Sequence, residues 1–352
     1  MPEQPSRFQN ESPAEADPLT GTAYRAIAPL GRGAMGEVVE AEHIALGKRV
    51  VVKLLHGRLL DRDDQRERLR LEGQALAHLR HPNLVSVTDF QISAAGRPFL
   101  VMDRLEGRTL RDELRARGML PVAEAVDLTR QALAGLAAVH AAGLVHRDIK
   151  PDNLFLCDPE RSGAPRVLKL LDFGLAKVVS EGELPVRSLA RVRTDRDVTV
   201  GTPRYYAPEQ ASGGAVDART DLYAVGLVLY ALLAGEGPFD HHKAYADVVM
   251  ACIHEIPRKV SERARQPIPP RLDEVLAQVL EKRPEDRFPS AVDFSEALVM
   301  SLRPAPRWAS TEPLAPITPR SPSSRDPFGG DPFEGDDAEP SISEDPTRPL
   351  RR

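Results

Sequence analysis

Cysteine is scarce in this chain of 352 residues, and aromatic side chains make up only 5% of it. The two cysteines, Cys157 and Cys252, lie far apart and form no spacing motif. We therefore expect neither a disulfide framework nor a zinc site. So few cysteines also fit a reducing compartment, and we expect a cytoplasmic protein.

Long apolar runs and a strong net charge are missing as well. The longest apolar run, 222–234, is too short to span a bilayer and is typical of a buried helix. Residues 1–20 lack the apolar core of a signal peptide. The net charge of −5 is small for this length, so we expect no nucleic-acid partner and no binding to a membrane surface.

Composition divides the chain into a folded centre and two polar ends. Residues 1–22 are rich in proline, glutamate and serine, and residues 303–352 are rich in proline, serine and acidic side chains. Both segments are predicted to be disordered. Hydrophobic residues make up 41% of the chain, which is enough for a folded domain over residues 23–302.

Apolar periodicity predicts a β-rich part, residues 23–103, and a helical part, residues 104–302, so the predicted fold class is α+β. A valine run at 50–52 is typical of a buried strand. A polar stretch from about 175 to 209 is long enough to indicate a functional loop. The predicted strands are 24–30, 37–43, 49–55, 84–90 and 98–102, and the predicted helices are 61–80, 110–117, 122–142, 221–234, 243–255, 272–281 and 291–302.

The stretch 145–154, with the sequence VHRDIKPDNL, brings together three chemically different side chains. Asp148 can accept a hydroxyl proton, Lys150 can neutralise charge on a group in transfer, and Asn153 offers an oxygen to a hard cation such as Mg²⁺. This set suits the transfer of a phosphoryl group held by metal ions. The alternative is an ordinary polar loop after a helix.

A glycine-rich loop, GRGAMGEV, precedes the second predicted strand and contains Gly31, Gly33 and Gly36. Glycine lets the backbone approach phosphate groups closely. Dinucleotide sites share this pattern, but there the loop opens a helix and an acidic ribose ligand follows. Here a strand follows the loop, which argues against a dinucleotide site.

Lys53 lies within an apolar strand pattern, and Glu72 lies on the apolar face of the next predicted helix. A buried lysine is costly without a partner. We therefore predict an ion pair between these two side chains that also holds ligand phosphates. The alternative is a salt bridge with a purely structural role.

These motifs are followed in the chain by DFG at 172–174, GTPRYYAPE at 201–209, Asp221 and Arg287. Over residues 24–302 the sequence resembles the Hanks-type protein kinases and is most similar to bacterial eukaryote-like serine/threonine kinases. The resemblance implies a two-lobed protein kinase fold with ATP in the cleft. It also implies phosphorylation of serine and threonine in protein substrates, the chain itself included. The alternative is a catalytically silent pseudokinase scaffold, against which the intact catalytic side chains argue.

The resemblance also implies roles for individual residues. Lys53 grips the α- and β-phosphates of ATP while it is paired with Glu72. Asp148 orients or deprotonates the substrate hydroxyl, and Lys150 stabilises the transferred group. The implied metal ligands are Asn153 and Asp172, for Mg²⁺ or Mn²⁺, and the implied nucleotide-binding residues are Leu30, Gly31, Gly33, Gly36, Val38, Val51, Lys53, Met102, Asp103, Leu105 and Phe155.

Two structural contacts and a substrate preference follow from the same resemblance. Glu209 and Arg287 form a buried ion pair in the helical lobe. Asp221 braces the catalytic loop, which is the stretch 145–154. Lys150, together with the Gly-Thr-Pro sequence that contains Thr202, favours serine and threonine over tyrosine. Thr202 is implied to bond to the catalytic aspartate and lysine.

Phosphorylation within the polar stretch is the implied mode of regulation. Arg147, next to Asp148, is typical of kinases whose activation loop is ordered by phosphorylation. The alternative is that the basic groups are solvated. The candidate phosphorylation sites are Thr199, Thr194 and Ser188, and the candidate phosphate contacts are Arg147, Lys177 and Arg68.

The C-terminal tail repeats the sequence Asp-Pro-Phe, at 326–328 and 331–333. Two copies in a polar tail are a candidate docking motif for a partner, with phosphorylation at Thr311 and Thr318. A plain solvated tail is the alternative. Related bacterial kinases often continue into a membrane helix and an outer sensor domain. We expect neither here, and therefore no direct reading of an extracellular ligand.

Overall fold

The computed structural model describes residues 17–33, 36–55, 63–94, 96–159, 161, 163–172 and 203–303, without the side chains of 63–69. Most of the two ends predicted to be disordered, and most of the polar stretch, lie outside these ranges. Leu19, which precedes the predicted start of the folded domain at residue 23, is fully buried. Its backbone N–H donates to the Asp17 carboxylate at 2.9 Å.

The first lobe is built on a five-stranded antiparallel sheet with the strand order β1-β2-β3-β5-β4. The valine run of β3 continues into Leu54 and Leu55, which are fully buried. A Cβ at Gly73 would lie 3.0 Å from the Phe90 ring, so the missing side chain lets the lobe's helix α1 pack closely on β4. The elements are β1 (Tyr24–Gly33), β2 (Gly36–His43), β3 (Lys48–Leu55), α1 (Asp63–His78), β4 (Val87–Ile92) and β5 (Pro98–Asp103).

The second lobe is mainly helical and carries a small sheet with the strand order β6-β7-β8. None of the helices within the described ranges combines the length and the apolar character needed to cross a bilayer. The elements are β6 (Gly107–Thr109), α2 (Leu110–Arg117), α3 (Val122–Ala141), β7 (Leu154–Cys157), β8 (Val167–Leu170), α4 (Pro208–Ser212), α5 (Ala218–Ala234), α6 (Tyr245–His254), α7 (Pro270–Val279) and α8 (Ala291–Ser301).

Helix α5 forms the buried centre of the second lobe, as the longest apolar run predicted. Every residue from Thr220 to Leu233 is buried. Asp217 caps the helix by accepting the backbone N–H of Arg219 at 2.8 Å. Gly235 ends the helix in a left-handed conformation, with φ of 86°. The first buried turn brings Asp221 under the catalytic loop.

The predicted strand 84–90 is wrong at its start, because β4 begins at Val87. The preceding residues bind the second lobe instead. Val85 N–H donates to the Leu170 carbonyl at 3.0 Å, and Leu170 N–H donates to the Asn83 carbonyl at 2.8 Å. An apolar pattern indicates a strand but does not show which segment it pairs with.

Strand β6 and helix α4 are among the short elements that are absent from the predicted strands and helices. Strand β6 has 3 residues and helix α4 has 5, which is too short for an apolar period to be visible. Because α4 begins at Pro208, the end of the predicted polar stretch is helical.

Candidate active site

Asp221, in the first turn of α5, holds the backbone of the catalytic loop that follows α3. It is 1% exposed and accepts the backbone N–H groups of His146 and Arg147, each at 2.8 Å. A third contact, also 2.8 Å, joins it to Nε2 of His140 at the end of α3. These contacts confirm the predicted bracing role and fix the loop relative to α5.

The backbone of the catalytic loop turns sharply at Arg147, whose φ of 64° is uncommon for a residue other than glycine. The Gln210 side-chain amide donates to the Arg147 carbonyl at 2.9 Å. Next to it, the His146 ring is fully buried, and its Nε2 lies 2.8 Å from the Leu171 carbonyl oxygen. Burial lowers the pKa of His146, so the ring is neutral and ties the loop to the segment before Asp172.

Two neighbouring side chains hold the Asp148 carboxylate. Lys150 Nζ donates to Oδ2 at 2.8 Å. The Asn153 amide nitrogen donates to the same oxygen at 2.8 Å and to the Asp148 carbonyl at 2.7 Å. Burial acts to lower the pKa of Lys150, but the attraction of Asp148 outweighs it and raises that pKa. The ammonium therefore stays charged beside the predicted base.

Asp172 and Lys53 form an ion pair across the cleft between the lobes. Asp172 has a left-handed backbone, with φ of 55°, and its carboxylate accepts Lys53 Nζ at 2.5 Å. Lys53 itself is only 8% exposed. The backbone N–H of Leu171 donates to the Asn153 carbonyl at 2.8 Å. The structure thus brings the two predicted metal ligands onto adjacent, bonded segments.

The chemistry of these two residues fits a divalent cation. Asn153 uses its amide nitrogen for both bonds to Asp148, so its side-chain oxygen is the atom that can face a cation. Asp172 adds a carboxylate. Hard cations such as Mg²⁺ prefer oxygen ligands of these two kinds.

Glu72 lies in α1 and is half-buried. The described salt bridge of Lys53 is with Asp172, and the Lys53–Glu72 pair stays a prediction. Arg68 lies one turn earlier in the same helix, but its side chain is outside the described part of the chain.

The sheet of the first lobe supplies one wall of the predicted nucleotide pocket. Val38 in β2 lies opposite Lys53 in β3, and Val51 in β3 lies opposite Met102 in β5. Met102 is 9% exposed, as expected for a residue at the back of a pocket. Val38, Val51 and Met102, three of the predicted nucleotide-binding residues, therefore lie on adjacent strands.

The connection between the lobes and strand β7 supply the other predicted pocket residues. The backbone N–H of Asp103 donates to the Ser86 carbonyl at 3.1 Å, which fixes the start of the connection. Leu105 and Phe155 are half-buried, and Phe155 lies in β7, opposite Lys169 of β8. Their contacts with adenine stay predictions.

The glycine loop is the hairpin between β1 and β2. Strand β1 continues through Gly33, beyond its predicted end, and β2 begins at Gly36. Gly36 has φ of 150°, and a Cβ there would lie 1.9 Å from the Leu54 carbonyl oxygen. Gly31 has open space around it, and Leu30 is 57% exposed. Only glycine therefore fits at position 36, where β2 begins.

The predicted buried ion pair between Glu209 and Arg287 is confirmed. The guanidinium donates to both carboxylate oxygens, each at 2.8 Å, and Arg287 is 3% exposed. Thr220 of α5 donates to the same carboxylate at 2.7 Å. The pair therefore ties α4 to α5 and to the segment after α7.

Several predicted regulatory groups lie outside the described residues, and their roles stay predictions. They are Lys177, Ser188, Thr194, Thr199, Thr202, Thr311, Thr318 and the two tail motifs at 326–328 and 331–333.

Three groups that build the site were missed by the sequence predictions. They are His140, which contacts Asp221, the Leu171 carbonyl, which contacts His146, and Gln210, which contacts Arg147. The only sequence signal for His140 was a polar residue near the end of an apolar helix. A backbone carbonyl carries no sequence signal, because every residue has one.

Comparisons with known proteins agree with this geometry. The family model described as "Protein kinase domain" matches residues 24–298. The chain is 37% identical over 298 residues to the serine/threonine-protein kinase Pkn1 of Myxococcus xanthus, covering 81% of this chain and 40% of that protein. It is 34% identical over 298 residues to PknL of Mycobacterium tuberculosis, covering 82% of this chain and 70% of that protein.

Among solved structures, the PknI kinase domain of Mycobacterium tuberculosis matches with a TM-score of 0.62 and 29% identity, covering 82% of this chain and 99% of that one. The chain spans less than half the length of the first curated relatives, 40% of Pkn1 and 49% of pkn3 of Myxococcus xanthus. Protein kinases use ATP and a divalent metal ion. The chain belongs to the protein kinase family and is similar to its bacterial serine/threonine members.

Proposed function

We propose that this chain transfers the γ-phosphoryl group of ATP to serine and threonine hydroxyls of proteins, its own included. The observation that carries the proposal is the Asp148 carboxylate held by Lys150 and Asn153. It lies on a loop bonded to the segment that carries the Lys53–Asp172 pair. The serine/threonine preference is supported by Lys150 and by the names of the relatives.

The proposed reaction needs little covalent chemistry from the protein. The substrate hydroxyl oxygen forms a bond to the γ-phosphorus, the bond from that phosphorus to the ADP oxygen breaks, and Asp148 takes the hydroxyl proton. Lys150 offsets negative charge on the group in transfer, and Lys53 binds the α- and β-phosphates. Catalysis then comes mainly from positioning and from fixed charge.

Asn153 and Asp172 would hold the divalent ion. When bound, such an ion neutralises charge on the phosphates. Mg²⁺ is the ion we propose, and Mn²⁺ accepts the same oxygen ligands.

A phosphotransfer assay on a generic serine-rich protein tests the proposal. We expect Asp148→Asn to lower the rate by about 100-fold or more, the scale of a lost general base, while ATP binding is retained. Asp152→Asn is the matched control, since this side chain is half exposed and pairs with Arg111; its rate should stay near that of the wild type. If the wild type, Asp148→Asn and Asp152→Asn all gave the same assay signal with and without ATP, the proposal would be refuted. The chain would then be a catalytically silent pseudokinase scaffold.

We also propose that phosphorylation of Thr199 orders the activation loop through Arg147 and Lys177, with Arg68 as a third contact. The support is the clustering of basic and hydroxyl residues in the sequence. Thr199→Ala should abolish most of the activity, while Thr194→Ala should not. A full rate in Thr199→Ala would contradict this mode of regulation.

Two further proposals concern partners and location. The repeated Asp-Pro-Phe sequence is proposed to dock a protein partner. Replacing Phe328 and Phe333 by alanine should slow phosphorylation of that partner and leave a short peptide substrate unaffected, and equal rates on the partner would exclude docking.

The cytoplasmic location, supported by the sparse cysteines, is tested by cell fractionation, and recovery of the chain outside the cytoplasm would contradict it.

A further inference from the structure

A cluster of metal-ligating side chains lies in the second lobe, away from the proposed catalytic residues. His241 and His242 follow α5, and Glu255 is the first residue after α6. One ligand atom from each of the three lies within 4.8 Å of the other two. His242 is 2.7 Å from one carboxylate oxygen of Glu255, and His241 is 3.4 Å from the other, in both cases through Nε2.

The three side chains are close enough together to share one metal ion. The rings of His241 and His242 have their centroids 4.0 Å apart, so two imidazolium charges would repel each other over one shared carboxylate. Tetrahedral Zn²⁺ binds nitrogen and oxygen at about 2.0–2.2 Å, which separates its ligand atoms by about 3.3–3.5 Å. The three ligand atoms lie within 4.8 Å of one another, so the side chains would have to close to that spacing around the ion.

We propose that His241, His242 and Glu255 form a binding site for a divalent transition metal of the zinc type. Two imidazole nitrogens and one carboxylate are three ligands of the kind that zinc accepts, and water completes the coordination. The scarcity of cysteine argued against a zinc site, but this cluster uses no thiolate. Asp247 and His254 line the same surface depression as His242 and Glu255.

The metal would act on the segment that carries Arg204. This side chain donates to the Asp240 carboxylate at 2.7 Å and to the His242 carbonyl at 3.3 Å. The Cys252 thiol of α6 donates to the Pro203 carbonyl at 3.2 Å. Joining the two histidines to the end of α6 would therefore fix residues 203–204 from both sides. This consequence rests on the proposed function and assumes that residues 203–204 contact the protein substrate.

Direct metal binding tests the site without any need for turnover. Zn²⁺ is titrated by calorimetry into the metal-free chain at pH 7.5 with excess Mg²⁺, which occupies oxygen-rich sites. We expect one strong zinc site. His242→Ala and Glu255→Gln should each raise its Kd at least about tenfold, the scale of effects seen even for residues that only orient ligands. His78→Ala, which changes an exposed histidine of α1, should bind as the wild type does.

Two further readouts separate a real site from a folding effect. Co²⁺ in the wild type should give the visible absorption of a tetrahedral centre, and this band should be absent from His241→Ala/His242→Ala protein with an unchanged circular dichroism spectrum. Asp148→Asn protein should bind Zn²⁺ as tightly as the wild type, so loss of kinase activity and loss of the metal site are distinguishable. Zinc binding of equal strength in the wild type and the double variant would overturn the proposal, and so would the absence of binding.

If the site is occupied, its effect on the reaction is specific. Saturating Zn²⁺ should change the KM for a protein substrate more than about twofold and leave the KM for ATP unchanged, because the metal would fix residues 203–204 and not the nucleotide-binding residues. A change in the ATP KM alone would contradict the assigned site.

Discussion

Asp221 accepts three hydrogen bonds from the loop and helix that carry the proposed base. Its replacement by alanine leaves His140 and the N–H groups of His146 and Arg147 without their buried acceptor. We expect Asp221→Ala to lower kcat by about 100-fold and the free energy of unfolding by about 2 kcal/mol or more, the cost of buried unsatisfied donors. Stopped-flow kinetics and urea unfolding measure both changes.

The control for this change is Asp158→Ala, at an exposed position after β7. It should leave both quantities within error of the wild type. A fall in stability with an unchanged kcat in Asp221→Ala would show that the loop keeps its position without this carboxylate.

The burial of Lys282 makes the free energy of unfolding of the chain depend on pH. Lys282 is packed against the Tyr223 and Phe239 rings and donates to the Tyr223 hydroxyl and the Cys252 carbonyl, each at 3.0 Å. Burial lowers its pKa to about 8, whereas an unfolded lysine titrates near 10.4. Between these values the unfolded chain binds more protons than the folded one, so this group makes stability rise with pH.

The comparison of wild type with Lys282→Met isolates that contribution. The difference in unfolding free energy, wild type minus variant, should increase from pH 7.5 to pH 10 in urea titrations. Lys259→Met, at an exposed site, should run parallel to the wild type. Parallel curves for Lys282→Met would mean that the lysine titrates normally in the folded chain.

The residues of the site could be predicted from the sequence because they occupy fixed positions in short motifs. Asp148, Lys150 and Asn153 are five residues apart at most, and one turn of backbone brings them into contact. His140 could not be predicted, because its contact with Asp221 depends on how α3 packs beside α5. Packing of that kind is set by the whole core rather than by local sequence.

At the scale of elements, the β1–β2 hairpin predicts different outcomes for two glycines of one motif. A Cβ at Gly36 would lie 1.9 Å from the Leu54 carbonyl, and its φ is 150°. A Cβ at Gly31 would meet nothing within 4 Å. Gly36→Ala must therefore displace the hairpin from β3, whereas Gly31→Ala need not.

We expect Gly36→Ala to raise the Kd for ATP at least about tenfold, equal to about 1.4 kcal/mol, and Gly31→Ala to raise it much less. Calorimetric titration of ATP with Mg²⁺ into both variants gives the comparison. The same small effect in both proteins would show that the hairpin adapts to a side chain at Gly36.

Element prediction succeeded where a segment is long and has one apolar face or is apolar throughout. The helical periodicity of residues 110–117 predicted the observed bounds of α2, Leu110–Arg117. The apolar run at 222–234 predicted that α5 is buried. The strand prediction failed at residues 84–86, because Leu84 and Val85 make backbone contacts with Leu170 of the other lobe. Whether a short apolar segment extends one sheet or contacts another is decided by tertiary structure.

At the scale of the whole molecule, the Glu209–Arg287 pair joins distant parts of the second lobe. Both side chains are buried, and two parallel hydrogen bonds make the ion pair bidentate. Arg287→Ala leaves the Glu209 carboxylate buried without its cation, which costs about 3–5 kcal/mol. Thermal unfolding should show a large fall in Tm. Arg283→Ala, which breaks an exposed pair with Glu285, should change Tm very little, and equal effects in the two variants would contradict the role assigned to the buried pair.

A backbone hydrogen bond joins the segment that carries the Lys53–Asp172 ion pair to the loop that carries Asp148, and we propose that this arrangement transfers phosphoryl groups. The most direct test is mass spectrometry of the full chain after incubation with ATP, Mg²⁺ and a generic protein substrate, beside Asp148→Asn. We predict added phosphoryl groups on serine and threonine of the chain or the substrate in the wild type, and none in the variant. Identical phosphorylation of both proteins, or none in the wild type while ATP still binds, would contradict the claim.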